Sequence, residues 1–182
     1  MKTLTALMLA LFCGVASAAT VNWSIDRKSF TTSDGSSERA GGYFVQLFLY
    51  DNYSEVMSIV QSWTAPVSDA SALDTYVLST GTTGSTGAVA SNFTTTEPAG
   101  TTFTLFAIAW DAASVAGAEN YLVSDTVSSD AYVAPDNPTN VGKFTSASYS
   151  SSSWTAVSAV PEPSTAALAL AGLALLIRRR KA

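Results

Sequence analysis

The chain has 182 residues with nine Lys or Arg, fourteen Asp or Glu, no His and one Cys, and is 13% charged and 47% hydrophobic. Without His there is no Ser-His or Cys-His nucleophile pair, no imidazole general base and no His-ligated zinc or haem. Most hydrolase and metalloenzyme chemistries go with it, and the composition names no activity.

The first eighteen residues read as a secretory leader: one charge at Lys2, an apolar run from Leu4 to Phe12, then small residues ending Ala16-Ser17-Ala18. The run is too short to span a bilayer, and small side chains suit a signal peptidase pocket, which predicts cleavage between Ala18 and Ala19. Cys13 follows Phe12 rather than a small residue, so it is no lipidation site and leaves with the leader. The mature chain then has no thiol, and its domain must stand on a hydrophobic core without a disulfide.

Thr20 to Ile25 alternates Val21, Trp23 and Ile25 with Asn22 and Ser24, a half-buried strand. Tyr43 to Tyr50 and Phe103 to Trp110 are apolar on both faces, which predicts central strands of a sheet covered on both sides. Between them Tyr53, Val56, Val60 and Trp63 recur at helical spacing behind Ser54, a candidate N-cap, so Glu55 to Trp63 is predicted to be an amphipathic helix on one face of the sheet. A second short helix at Ala70 to Asp74, a loop from Thr80 to Gly87, and weaker strands at Thr75 to Ser79, Asn120 to Val127 and Lys143 to Tyr149 complete the reading. The fold class expected is mainly β: an antiparallel, sandwich-like domain over 19–150 with one or two short helices, the alternative being a Greek-key sandwich with none. A Ser-rich linker is expected over 151–160.

The two central strands end alike, Leu49-Tyr50-Asp51-Asn52 and Ala109-Trp110-Asp111-Ala112. Were those ends to meet, Asp51, Asn52 and Asp111 would offer oxygen ligands to calcium, and Tyr50 and Trp110 faces on which a sugar ring can stack. The plainer reading is that Asp and Asn cap the turns that follow strands. The carboxylates form no recognisable glycosidase pair, Lys28 and Lys143 sit in no nucleophile motif, and no phosphate-cradling glycine motif occurs. The sequons at Asn22, Asn52 and Asn92 read as coincidence in a Ser/Thr-rich chain, and the Thr clusters lack the period that ice binding needs.

At the far end, Val160-Pro161-Glu162-Pro163 precedes an uncharged run from Ala166 to Ile177 and the basic cluster Arg178-Arg179-Arg180-Lys181. This arrangement resembles the PEP-CTERM sorting signal of Gram-negative bacterial surface proteins. The resemblance covers only Val160 to Ala182, and divides it into a motif at 161–163, a transmembrane segment at about 164–177 and a basic tail at 178–181. It implies recognition and cutting near Pro161-Glu162-Pro163 by an exosortase in the inner membrane, in cells that make extracellular polysaccharide. The residues agree: the basic cluster stays cytoplasmic and the prolines keep the chain before the span extended. Counted from Ser164, the apolar run reaches about 21 Å as a helix against a bilayer core of roughly 30 Å, short for a permanent anchor but tolerable for a transient one.

Between the two signals only Arg27, Lys28, Arg39 and Lys143 remain as bases against thirteen acids, a balance of 4 − 13 = −9 that repels phosphate backbones and excludes nucleic acid as a partner. The function expected is an exported, non-enzymatic surface or extracellular-matrix protein, in the inner membrane as a precursor and then at the outer surface or in the polysaccharide. The alternative is a carbohydrate- or calcium-dependent adhesion module using Tyr50, Asp51, Asn52, Trp110 and Asp111. No cofactor is expected other than calcium in that second case.

Overall fold

The computed structural model of the chain describes residues 18–27, 29–35, 41–128, 140–149 and 153–157. The leader before Ala18, the sorting motif, the apolar run and the basic tail lie outside the described residues. Among the described residues no helix is long and apolar enough to cross a membrane.

The alternating run near the N-terminus forms β1, Ala19–Ile25, with Val21, Trp23 and Ile25 buried and Asn22 and Ser24 half-buried. The doubly apolar runs form β2, Phe44–Leu49, and β5, Thr104–Trp110, which lie side by side. The chain between them supplies α1, Tyr53–Ser62, then β3, Val77–Thr82, and β4, Val89–Thr95. After β5 come β6, Asn120–Val123, β7, Val127–Ser128, β8, Asn140–Phe144, and β9, Thr155–Ala156. The larger sheet has the order β3-β2-β5-β6-β9, with β7 also on β5, and the smaller the order β4-β1-β8.

Two apolar clusters explain why the central strands are apolar on both faces. Val45, Leu47, Leu105, Ala107 and Ala109 point from the larger sheet toward Val21, Trp23, Ile25 and Phe93 of the smaller one. Phe48, Phe106, Ile108 and Trp110 point the other way, under Val56, Met57 and Val60 of α1 and under Val67, Leu73 and Val115 from the connecting segments. The result is three layers: small sheet, large sheet, and helix with loops. The two sheets meet at a corner where β3 passes into β4. There the Ser79 hydroxyl donates to the Asn92 carbonyl at 2.6 Å and the Ser91 hydroxyl to the Thr80 carbonyl at 2.8 Å. Gly81 sits at that corner because a Cβ would collide with the Val89 side chain.

Several expectations need correction. The strand pairs are mainly antiparallel, as expected, and the exception among the described residues is β1 with β8, which run parallel. Their register slips by one residue where Gly142 takes a φ of +64°, the bulge conformation that glycine accepts most easily. The predicted helix begins earlier than expected, with Asn52 rather than Ser54 at the N-cap position and no side-chain cap hydrogen bond, because a 3-10 turn at Tyr50–Asn52 leads straight into it. The second predicted helix is a single 3-10 turn at Ser71–Leu73. Strand β3 continues to Thr82, into the predicted glycine loop, and the segment after Phe144 forms a 3-10 turn at Ser146–Tyr149 rather than continuing the strand. Strand β4 was not anticipated, although Val89 and Phe93 alternate into the core.

The largest correction concerns the segment expected to be linker. Thr155 and Ala156 pair with Tyr121 and Asn120, Val157 is buried, and its N–H donates to the Glu119 carbonyl at 2.8 Å. Trp154 stacks edge-on against Phe30 and Tyr43 and donates its indole N–H to the Thr31 carbonyl at 2.9 Å. The folded domain therefore extends at least to Val157.

Candidate functional site

The ends of β2 and β5 were expected to bring Asp51, Asn52 and Asp111 together. The strands are neighbours, as that idea required, but antiparallel: Phe44 faces Trp110 and Leu49 faces Leu105. Their similar endings thus lie at opposite ends of the sheet, separated by five residues of strand or about 17 Å. Among the described residues no group of three or more His, Cys, Asp or Glu converges as a metal site would require.

Each expected residue then has its own surroundings. Asp111 closes a loop: its Oδ1 accepts the N–H groups of Glu119 and Asn120 at 3.0 and 2.9 Å, and its Oδ2 accepts the Asn120 side-chain amide at 2.6 Å. A carboxylate holding three donors across the base of a loop is a structural clasp, the turn-capping role open to it in the sequence. Trp110 is fully buried between Trp63 and Tyr121, so its face is closed to a sugar ring. At the opposite end Tyr50 is 44% exposed, and its ring lies 5.4 Å from that of Tyr53, which in turn packs edge-on against Phe106. Asp51 is exposed and Asn52 half-buried beside it on the same 3-10 turn.

Two contributors were missed in the sequence. Gln46 is the polar residue on an otherwise apolar strand face, 4% exposed, and its Oε1 accepts the Trp110 indole N–H at 3.0 Å. The signal was the interruption itself, since a buried amide needs a partner. Trp154 was the other; a lone aromatic within a serine run has little reason to be there unless it docks.

The docking of Trp154 and Val157 sets the distance from the domain to the sorting motif. Ser158, Ala159 and Val160 separate Val157 from Pro161. Four Cα steps span at most about 14 Å, so an enzyme that cuts near Pro161 works close beside the folded domain.

Residues 159–181 match the PEP-CTERM protein-sorting motif, in agreement with the resemblance read from Val160 onward. The chain therefore carries an exosortase sorting signal, the mark of an exported precursor that passes through the membrane. Neither curated proteins nor solved structures yield a match to this chain.

Proposed function

We propose that the chain is a non-enzymatic exported protein, released from its leader between Ala18 and Ala19, held briefly in the inner membrane, and delivered by exosortase to the envelope or the extracellular polysaccharide. The observation that carries this reading is the sorting motif at 159–181 directly following a closed β-domain. The lack of His supports a non-catalytic role, as does the fate of the acids: Asp111 is used as a clasp, and Asp51 lies at the other end of the sheet. The acidic balance of the mature chain favours solubility and mutual repulsion outside the cell, and makes a neutral polysaccharide a better neighbour than an anionic one.

Fractionation of the producing cells tests the proposal. The protein is expected in the extracellular polysaccharide and envelope fractions, with and without chelator, and a Pro161→Ala/Glu162→Ala/Pro163→Ala variant is expected to stay in the inner membrane. A variant that reaches the exterior in wild-type amounts would contradict exosortase delivery. Release by chelator alone would favour a calcium-dependent adhesion module.

A further inference from the structure

On the helix-covered face of the larger sheet, α1 does not reach the edge formed by β2 and β3. There the 3-10 turn at Ser71–Leu73 and the loop from Asp111 to Glu119 stand apart and leave an open groove of about 470 Å³. Its apolar surface comes chiefly from Phe44, Val77 and Val115, and its polar side chains are Gln46, Asp74, Thr80 and Ser114. The volume falls within the range of small-ligand sites, roughly 300–1,000 Å³.

The hydrogen-bonding character of the groove follows from donors and acceptors already engaged. The Trp110 indole can only donate, so the Gln46 oxygen must face it and the Gln46 amide nitrogen is turned away. That Nε2 has no partner among the described residues, although the residue is 4% exposed and lines the groove. Unlike the Trp23 indole N–H, which is enclosed without a partner, Gln46 Nε2 opens on the groove, where it is free to donate to a ligand. Ser114 donates its hydroxyl to the Ala116 carbonyl at 2.8 Å and so presents lone pairs. Asp74 is exposed, and its carboxylate makes no hydrogen bond or ion pair among the described residues.

We infer that this groove binds a neutral saccharide ring of the extracellular polysaccharide, with Gln46 Nε2 donating to one hydroxyl, Asp74 and Ser114 accepting from others, and Phe44 and Val77 covering the C–H face. The inference rests on the polysaccharide reading above and gives it a site. The chemistry selects the ligand class. An anionic ligand would meet Asp74 without a compensating cation, since none lines the groove. A purely apolar ligand would bury the Gln46 amide and the Asp74 carboxylate unpaired. A ring bearing hydroxyls that both donate and accept, with an apolar face, satisfies every group.

The Trp110–Gln46 bond supplies a local reporter, because a ligand on Nε2 alters the amide that holds the Trp110 indole N–H. The test follows the indole N–H resonances of the chain as exported by the producing cells during addition of cellotriose, maltotriose, xylotriose and fragments of the cells' own polysaccharide, with oligogalacturonate as the anionic control. A saturable millimolar shift of the Trp110 signal by a neutral oligosaccharide is expected, while that of Trp23, on the other face of the sheet, stays in place. Asp74→Asn, at an exposed position, is expected to weaken binding about tenfold, the loss of one charge-assisted hydrogen bond; Ser114→Ala, also exposed, is expected to weaken it less. No Trp110 shift up to the solubility of the sugars, an equal shift with oligogalacturonate, or binding untouched by Asp74→Asn would overturn the inference. Retention in the polysaccharide fraction unaffected by Asp74→Asn leaves the general reading standing and removes the groove. A Trp110 response in a protein absent from that fraction does the reverse.

Discussion

The two faces of the larger sheet are built from the same strands and serve different ends. Toward the smaller sheet, Val45, Leu47, Leu105, Ala107 and Ala109 share one buried cluster with Val21, Trp23, Ile25 and Phe93 of a second sheet. Toward the helix, the aromatic residues Phe48, Phe106 and Trp110 lie under a single ten-residue helix and several irregular segments, which cover the centre and leave the β2–β3 edge open. A sheet covers evenly, whereas one helix and its loops cover unevenly. The first face is therefore where stability is concentrated, and the second is where a ligand has room.

The two fully buried tryptophans, one on each face, offer the sharpest contrast. Replacing either by Ala is expected to cost about 3–5 kcal/mol, read by chemical denaturation. Replacement by Phe separates them. Trp110→Phe strands the Gln46 oxygen as well as losing volume, whereas the Trp23 indole N–H has no partner among the described residues, so Trp23→Phe removes an unpaired donor. Trp110→Phe is thus expected to be the costlier by about 1–3 kcal/mol, and equal losses would show that the Gln46 bond contributes nothing.

Next in size is the strap that joins both faces. Trp154 packs on the cluster between the sheets and Val157 on the cluster beneath the helix. Trp154→Ala gives up two edge-on ring contacts and a hydrogen bond, an expected loss of about 2–3 kcal/mol. A thermal midpoint unchanged by that substitution would return residues 153–157 to the linker expected from sequence.

The two aspartates at the strand ends come after that. Asp111→Ala is expected to cost about 1–2 kcal/mol and to speed amide exchange at Glu119 and Asn120, whose N–H groups it holds, while Asp51→Ala stays within about 0.5 kcal/mol. Reversed magnitudes would give Asp51 the structural role assigned to Asp111. The smallest effect belongs to Asp69, whose carboxyl is held below the usual carboxylate range by the Ser71 N–H and then by the Ser71 hydroxyl. Its folded value lies below its unfolded one, so its contribution is complete above the unfolded value and fades as pH falls through the folded one. Asp69→Asn is expected to flatten the acid limb of the stability curve slightly, with its small loss seen at neutral pH and fading as pH falls through the folded value.

The layers were legible in the sequence because they depend on side-chain patterns. Leu47 and Phe48, or Leu105 and Phe106, can both be apolar in one strand only if both faces are covered, and Val56 and Val60 mark the helix that covers one of them. Pairing was not legible, because strand direction is set by connections and by contacts distant in sequence. The antiparallel run of β2 and β5 separated Asp51 from Asp111, and nothing in either strand alone carries that information. Strand β9 escaped notice because two residues, Thr155 and Ala156, have no period to read; Trp154 and Val157 on either side decide their place. The groove depends on how far a helix and two loops extend over a sheet, a distance that no local pattern encodes.

The intact mass of the protein recovered outside the producing cells tests the central claim most directly. The account predicts a chain that begins at Ala19, retains Trp154 and Val157, and ends near Pro161-Glu162-Pro163, without the Ala166 to Ile177 run or the basic tail. A mature protein that keeps Arg178-Arg179-Arg180-Lys181, or one found in the cytoplasm with its leader intact, would contradict it.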